Sequence, residues 1–325
     1  MSETIPQPGT VTRSATGGAA GRILRSVDEL VGGTPLLRLP LDGVPGDVRL
    51  CAKLEMFNPL ANVKDRPVLA MMRDAEESGV LPATGGTVIE CSSGSTGISI
   101  AAFCARRGHR CIIVMPDNAT EERRQILREF GAEIVLVPHQ DGLLPAWKYA
   151  EELQQSIPGS WLAHQDENPA NERAHYETTG PELWEATAGR IDVLVCGVGT
   201  GGTLTGAARY LKQRKDVHVV AVEPAGSPVL SGGEAGPHGI PGIGAGYVSD
   251  IMDLDLIDEV VVVPDEEAAP TAREVSRRIG MLVGVSSGAA AYAARLLSRR
   301  ERWAAATMVA VFPDSGERYL STALG

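Results

Sequence analysis

Lysine, the residue best suited to covalent chemistry with a carbonyl, is scarce in this chain of 325 residues, which has five: Lys53, Lys64, Lys148, Lys212 and Lys215. Lys212 and Lys215 flank Arg214 at the polar end of a helical pattern, and Lys148 stands between Trp147 and Tyr149, so these three read as solvated. Lys53 ends a strand-like run. Lys64 follows the turn Asn58-Pro59-Leu60-Ala61-Asn62 and opens a helix expected over 65–78. There the positive end of the helix dipole and a partly dry setting would both lower its amine pKa, as a Schiff-base lysine requires. Spacing alone favours a plainer role, a lysine that lays its stem along apolar surface and reaches water, so other motifs must decide.

Three hydroxyl-rich turns supply them. Gly197-Val198-Gly199-Thr200-Gly201-Gly202-Thr203 follows an apolar run at 192–196 and precedes a helix beginning near Leu204. Backbone N–H groups and threonine hydroxyls at such a helix start form a phosphate cradle, with the glycines permitting close approach. A dinucleotide site uses a similar turn, but the Walker lysine is missing and Glu223 is the one Rossmann-like acid, so nucleotide binding stays open at this point. Ser92-Ser93-Gly94-Ser95-Thr96-Gly97 lies between a strand at 88–90 and a helix at 98–107, and suits a carboxylate. Ser286-Ser287-Gly288 precedes a helix at 289–299.

The elements that must position these turns read as α/β. Short β-branched runs at 88–90, 111–115, 133–137, 192–196, 217–222, 260–263 and 307–312 are mostly unbroken apolar stretches, the pattern of parallel strands buried on both faces. Between them Thr120 caps a helix with Glu121 and Glu122 in its first turn, Ile126, Leu127 and Phe130 on one face, and Gly131 at its end. Two strand-helix-strand groups, around 88–137 and 192–222, flank a connecting region at 156–180 and suggest two lobes sharing a cleft. Residues 1–25, rich in Gly, Ser, Thr, Ala and Pro, read as a flexible tail.

Composition bounds the function. A formal charge of -11 argues against a general affinity for nucleic acid or anionic lipid, and 43% apolar with 22% charged residues is ordinary for a globular enzyme. Cys51, Cys91, Cys104, Cys111 and Cys196 show no metal-type pairing and read as buried thiols. No run reaches the ~18–20 apolar residues of a membrane span and no secretory signal is evident, so a cytoplasmic location is expected.

Taken together these residues resemble the cysteine synthase (O-acetylserine sulfhydrylase) and cystathionine β-synthase family of fold-type II pyridoxal-phosphate enzymes, over roughly residues 27–325. The matching runs are Gly33-Thr34-Pro35-Leu36, Lys53-Leu54-Glu55, Asn58-Pro59 with Val63-Lys64-Asp65-Arg66, the 197–203 turn and Val222-Glu223-Pro224. Further along come Gly242-Ile243-Gly244-Ala245-Gly246, Val285-Ser286-Ser287-Gly288-Ala289 and Pro313-Asp314-Ser315-Gly316-Glu317-Arg318-Tyr319. The resemblance implies a two-lobed, tryptophan-synthase-β-like fold, each lobe a mostly parallel sheet flanked by helices. Residues 60–165 would form the smaller mobile lobe, and 26–59 with 166–325 the larger cofactor lobe. It also implies that Lys64 carries pyridoxal 5'-phosphate as an imine and acts as the catalytic base, and that Gly199, Thr200, Gly201, Gly202 and Thr203 hold the phosphate. Ser95 would lie by the cofactor ring and Ser286 at its nitrogen. Ser92, Ser93, Gly94, Thr96 and Gln165 would hold the substrate carboxylate, with Gly244 in the segment that closes over it.

The implied reaction is β-replacement on O-acetyl-L-serine with sulfide, through an α-aminoacrylate, to give L-cysteine. Cystathionine formation, another nucleophile in a specialised pathway and cysteine desulfhydration are related alternatives, and a non-catalytic cofactor-binding regulator is one from another class. A homodimer and docking of serine acetyltransferase are implied by the same resemblance. Two departures bear on substrate: Ser95 stands where the family usually has Asn, and Asp166 follows Gln165 where an aromatic residue is frequent; Cys91 replaces a common proline with no chemical consequence expected. Asp166 would either place a carboxylate near the substrate or face solvent. The segment Gly236-Pro237-His238-Gly239-Ile240 lacks the arginine that an O-phosphoserine donor would want.

Overall fold

In a computed structural model of the chain, which describes residues 23–138 and 144–322, the apolar runs become the strands of two sheets. The strands are β1 (Leu36–Arg38), β2 (Arg49–Leu54), β3 (Thr87–Cys91), β4 (Arg110–Pro116), β5 (Glu133–Val137), β6 (Ser160–Leu162), β7 (Val193–Gly197), β8 (His218–Pro224), β9 (Glu259–Val263) and β10 (Thr307–Phe312). The helices are α1 (Asp65–Glu77), α2 (Ser95–Arg107), α3 (Glu121–Glu129), α4 (Leu144–Ser156), α5 (Pro169–Ala174), α6 (Gly180–Ala186), α7 (Gly202–Lys212), α8 (Asp265–Ile279) and α9 (Val285–Ser298).

One sheet runs β1-β2-β10-β7-β8-β9 and the other β5-β4-β3-β6. Every pairing is parallel except β1 with β2. Along β7, Val193 and Val195 enter one core cluster while Leu194 and Cys196 enter another on the opposite face. Because both faces are covered, the strand shows no polar alternation, which is why it reads as a continuous apolar run. The smaller sheet is likewise packed on both sides, Val88 with Ile113 on one face and Ile89 with Val114 on the other. Parallel topology places the strand-to-helix turns after β3 and β7 at the carboxyl ends of their strands, where α/β proteins bind ligands.

The seven expected strands fall within two residues of their expected ends, and Thr120 and Gly131 (φ 77°) bound α3. Three differences are informative. The region 156–180, read as a connection, is β6, α5 and a single turn of π-helix at His175–Thr179 that runs into α6. Pro181 sits harmlessly in the first turn of α6, and a Cβ at Gly180 would lie 2.5 Å from the Tyr210 Cβ. Both serine-rich turns are shorter than expected: α2 starts at Ser95 and α9 at Val285, so Ser286, Ser287 and Gly288 belong to a first helical turn. Gly288 is required there because its Cα faces the Ala272 backbone N of α8, 2.6 Å from where a Cβ would stand. Of the 1–25 tail, residues 1–22 lie outside the described residues.

Candidate active site

Lys64 is the N-cap residue of α1, and the turn before it is fixed by side chains. The Asn62 carboxamide oxygen accepts from the Lys64 amide at 2.8 Å, while Asp65 accepts from the Leu60 amide (2.8 Å) and the Ser99 hydroxyl (2.6 Å). Ala61 adopts a left-handed φ of 55° within this turn. The half-buried Lys64 amine thereby lies 3.3 Å from the Thr200 hydroxyl, in the wall of a cavity of about 310 Å³. Burial lowers its pKa below the ordinary lysine value, against the pull of the Asp166 and Glu90 carboxylates.

The same cavity is lined by Ser92, Ser93, Gly94, Ser95, Thr96, Gln165, Gly199, Thr200 and Ser286. Gly201 and Thr203 line a smaller recess of about 40 Å³ that shares Lys64, Gly199 and Thr200 with it. Gly202 and Gly244 sit behind the wall instead. Gly202 is packed against the Asn171 carboxamide, and Gly244 (φ 66°) ties its amide to the Val198 carbonyl, while its neighbours Ile243 and Ala245 face the cavity. The starts of α2, α7 and α9 therefore meet around the cavity and its adjoining recess, with backbone N–H groups suited to anionic ligands.

Neighbouring side chains set these groups in place. The Thr96 hydroxyl donates to the Gln165 carboxamide oxygen at 2.6 Å, which ties the carboxylate turn to the segment after β6. The Ser92 hydroxyl accepts from the Gly97 amide at 3.2 Å. Arg318 donates to the Ser95 hydroxyl at 3.1 Å and also to the Leu60 carbonyl, occupying the polar partner of Ser95. Asn171 donates to Thr200 Oγ1 at 3.2 Å and to the Gln165 carbonyl at 2.7 Å, and His175 lies 3.1 Å from the Thr203 hydroxyl. Burial holds His175 neutral, lowering it to about 3, so it steadies Thr203 as an uncharged group.

Asn171, His175, Glu90, Tyr247 and Arg318 were not singled out from sequence as site groups. The only signal for Asn171 and His175 was their place in a region read as a loop. Asp166 is settled by the geometry: it lines the cavity together with Tyr247, and burial raises its carboxyl above the ordinary value. Lys53, by contrast, belongs elsewhere. Its amine is fully buried 2.5 Å from Glu182, beside Arg66, which donates to both Glu55 and Glu182. This cluster braces the first turn of α1 and lies outside the cavity lining.

The residues fit an aldehyde phosphate. A half-buried amine with depressed basicity stands beside a recess walled by glycine backbone, and at Gly199 even a Cβ would come within 2.7 Å of the Gly242 carbonyl oxygen. Ser286 supplies a neutral hydroxyl to the cavity wall.

Comparison with known proteins agrees with this geometry. A family model described as pyridoxal-phosphate dependent enzyme matches residues 27–314. A curated cysteine synthase from Staphylococcus aureus (strain Mu50 / ATCC 700699) is 42% identical over 303 residues, covering 92% of this chain and 96% of its own. The crystal structure of a cysteine synthase from Entamoeba histolytica superposes with a TM-score of 0.89 at 36% identity, over 96% of this chain and 94% of that one. The structure of an O-ureido-L-serine synthase gives a TM-score of 0.89 at 38% identity, over 93% and 95% of the two chains.

Proposed function

The chain belongs to the pyridoxal-phosphate-dependent enzyme family, and from that premise we propose that it replaces the acetoxy group of O-acetyl-L-serine with sulfide to give L-cysteine. The observation that carries this reading is the meeting of the Lys64 amine with the glycine-threonine cradle and the 92–96 hydroxyl turn around one cavity.

Lys64 would hold the cofactor, Gly199 to Thr203 its phosphate, and Ser286 its ring nitrogen. When bound, the group supplies an electron sink for breaking bonds at the substrate's Cα and Cβ. Ser92, Ser93, Thr96 and Gln165 orient the substrate carboxylate, which the α2 start further favours. The Lys64 amine, its basicity lowered by burial, takes the α-proton and returns it. A hydroxyl at Ser286 cannot hold a protonated ring nitrogen as a carboxylate would, which suits chemistry at Cβ. The buried walls exclude water from the reacting carbon.

The division into a mobile 60–165 lobe and a cofactor lobe, a homodimeric assembly, docking of serine acetyltransferase and a cytoplasmic location belong to the same proposal. Among the described residues no helix is long and apolar enough to cross a membrane.

Purified protein given O-acetylserine should form cysteine and acetate only when sulfide is also present. Borohydride reduction followed by peptide mapping should place a pyridoxyl group on Lys64, and Lys64→Ala should fold without the visible chromophore. A label on any other lysine, or cysteine absent under all conditions, overturns the reading.

A further inference from the structure

A second chamber of about 190 Å³ opens beside the first and shares Cys91, Trp147, Asp166 and Tyr247 with it. Five carboxylates line it, Glu90, Glu151, Asp166, Glu167 and Asp250, against one imidazole, His164. Trp147 and Tyr247 meet edge to face at 4.9 Å between ring centroids and stand between the two spaces. Two of the acids carry unanswered acceptors: among the described residues, Glu90 Oε2 and Asp166 Oδ1 are buried without a hydrogen-bond partner. Glu90 is 2% exposed and yet lines this chamber, and its Oε2 finds no protein donor among the described residues. Such an atom costs free energy until a donor arrives. Lys64, the cation that both carboxylates feel, is the residue assigned to the cofactor.

Sulfide explains none of this. It is about the size of a water molecule, which needs only ~15 Å³, and as an anion it is repelled by a carboxylate-lined wall. The chamber has the charge and size for a group with N–H donors and a positive charge.

We propose that this acidic chamber is a second acceptor subsite, which takes the ammonium end of an aminothiol whose sulfur reaches the main cavity. The enzyme would then also make aminoalkyl thioethers of cysteine. This rests on the β-replacement reading. In the exchange the Cβ–O bond breaks and acetate leaves with its electron pair, the thiol loses its proton to solvent, and an S–Cβ bond forms, with no net oxidation. Burial, with the Asp166 charge beside it, pushes Glu90 up to about 8, and burial raises Asp166; an ammonium between them would let both ionise.

The test uses the holoenzyme, O-acetylserine and two acceptors of equal length, cysteamine and 2-mercaptoethanol, with sulfide as control. The readout is the ratio of kcat/KM for cysteamine to that for 2-mercaptoethanol, compared between proteins, so that the intrinsic reactivity of each thiol cancels. Asp166→Asn should lower the ratio about tenfold by removing a charge from a partly dry site. Glu151→Gln, at an exposed position on the chamber wall, should lower it about two- to threefold and serves as the deciding variant if Asp166→Asn does not fold. A ratio unchanged in the deciding variant, or sulfide turnover with no thioether formed from cysteamine, overturns the subsite while leaving β-replacement standing. Absence of turnover with sulfide as well removes both.

Discussion

Glu182→Gln tests whether the buried ion cluster braces the lysine helix. Burial alone would raise the Glu182 carboxyl, but the hydrogen bonds and charge of Arg66, with help from Lys53, bring it from its ordinary 4.5 down to about 2. At about 1.4 kcal/mol per tenfold change in proton affinity, that depression corresponds to about 3 kcal/mol of stability at neutral pH. Lys53 offsets part of it, because burial lowers its proton affinity despite Glu182, so the expected loss is about 2–3 kcal/mol. A carboxyl depressed in the folded state stabilises fully above its unfolded pKa, and the contribution is lost as pH falls toward about 2. The gap between parent and variant should therefore narrow as the solution is acidified, from about 2–3 kcal/mol at pH 7 to roughly half of that at pH 3. Urea unfolding followed by far-UV circular dichroism at several pH values, with cofactor in excess, measures it. A gap under about 1 kcal/mol at pH 7, or one that fails to shrink on acidification, would refute the reasoning.

Other outcomes follow from the same geometry. Gly199→Ala would drive a methyl group toward the Gly242 carbonyl, 2.7 Å away, and should weaken cofactor retention about tenfold or more in dialysis followed by absorbance; retention equal to the parent would contradict the cradle. Thr96→Val deletes the 2.6 Å hydrogen bond to Gln165 and should raise the KM for O-acetylserine about five- to tenfold, with a smaller change in kcat. An unchanged KM would count against the carboxylate turn. All five cysteines are free and buried, so a water-soluble disulfide reagent should label none in the native protein and all five after denaturation.

The strands were readable because doubly buried β-branched runs have few other uses, and the lysine and cradle because glycine and hydroxyl residues cluster there beyond what packing needs. The starts of α2 and α9 were misplaced for a related reason. Serine and glycine favour loops locally, yet Ser286 to Gly288 form a helical turn, and at Gly288 the close approach of α8 leaves no room for a side chain. Asn171 and His175 were invisible because their role comes from spatial neighbours: they support Thr200 and Thr203 from a segment about 30 residues upstream. Asp166 was visible as a departure, but its direction was not, since one polar residue after a glutamine carries no periodicity.

The three helix starts that meet around the cavity sit in a chain whose formal charge is -11. An approaching phosphate or hydrosulfide is thus turned away at a distance and drawn in only over the last few ångströms, where backbone amides outweigh the overall field. Dissolved salt, which screens the far repulsion beyond ~8 Å at physiological strength but hardly reaches the sheltered amides, makes arrival easier without loosening the grip.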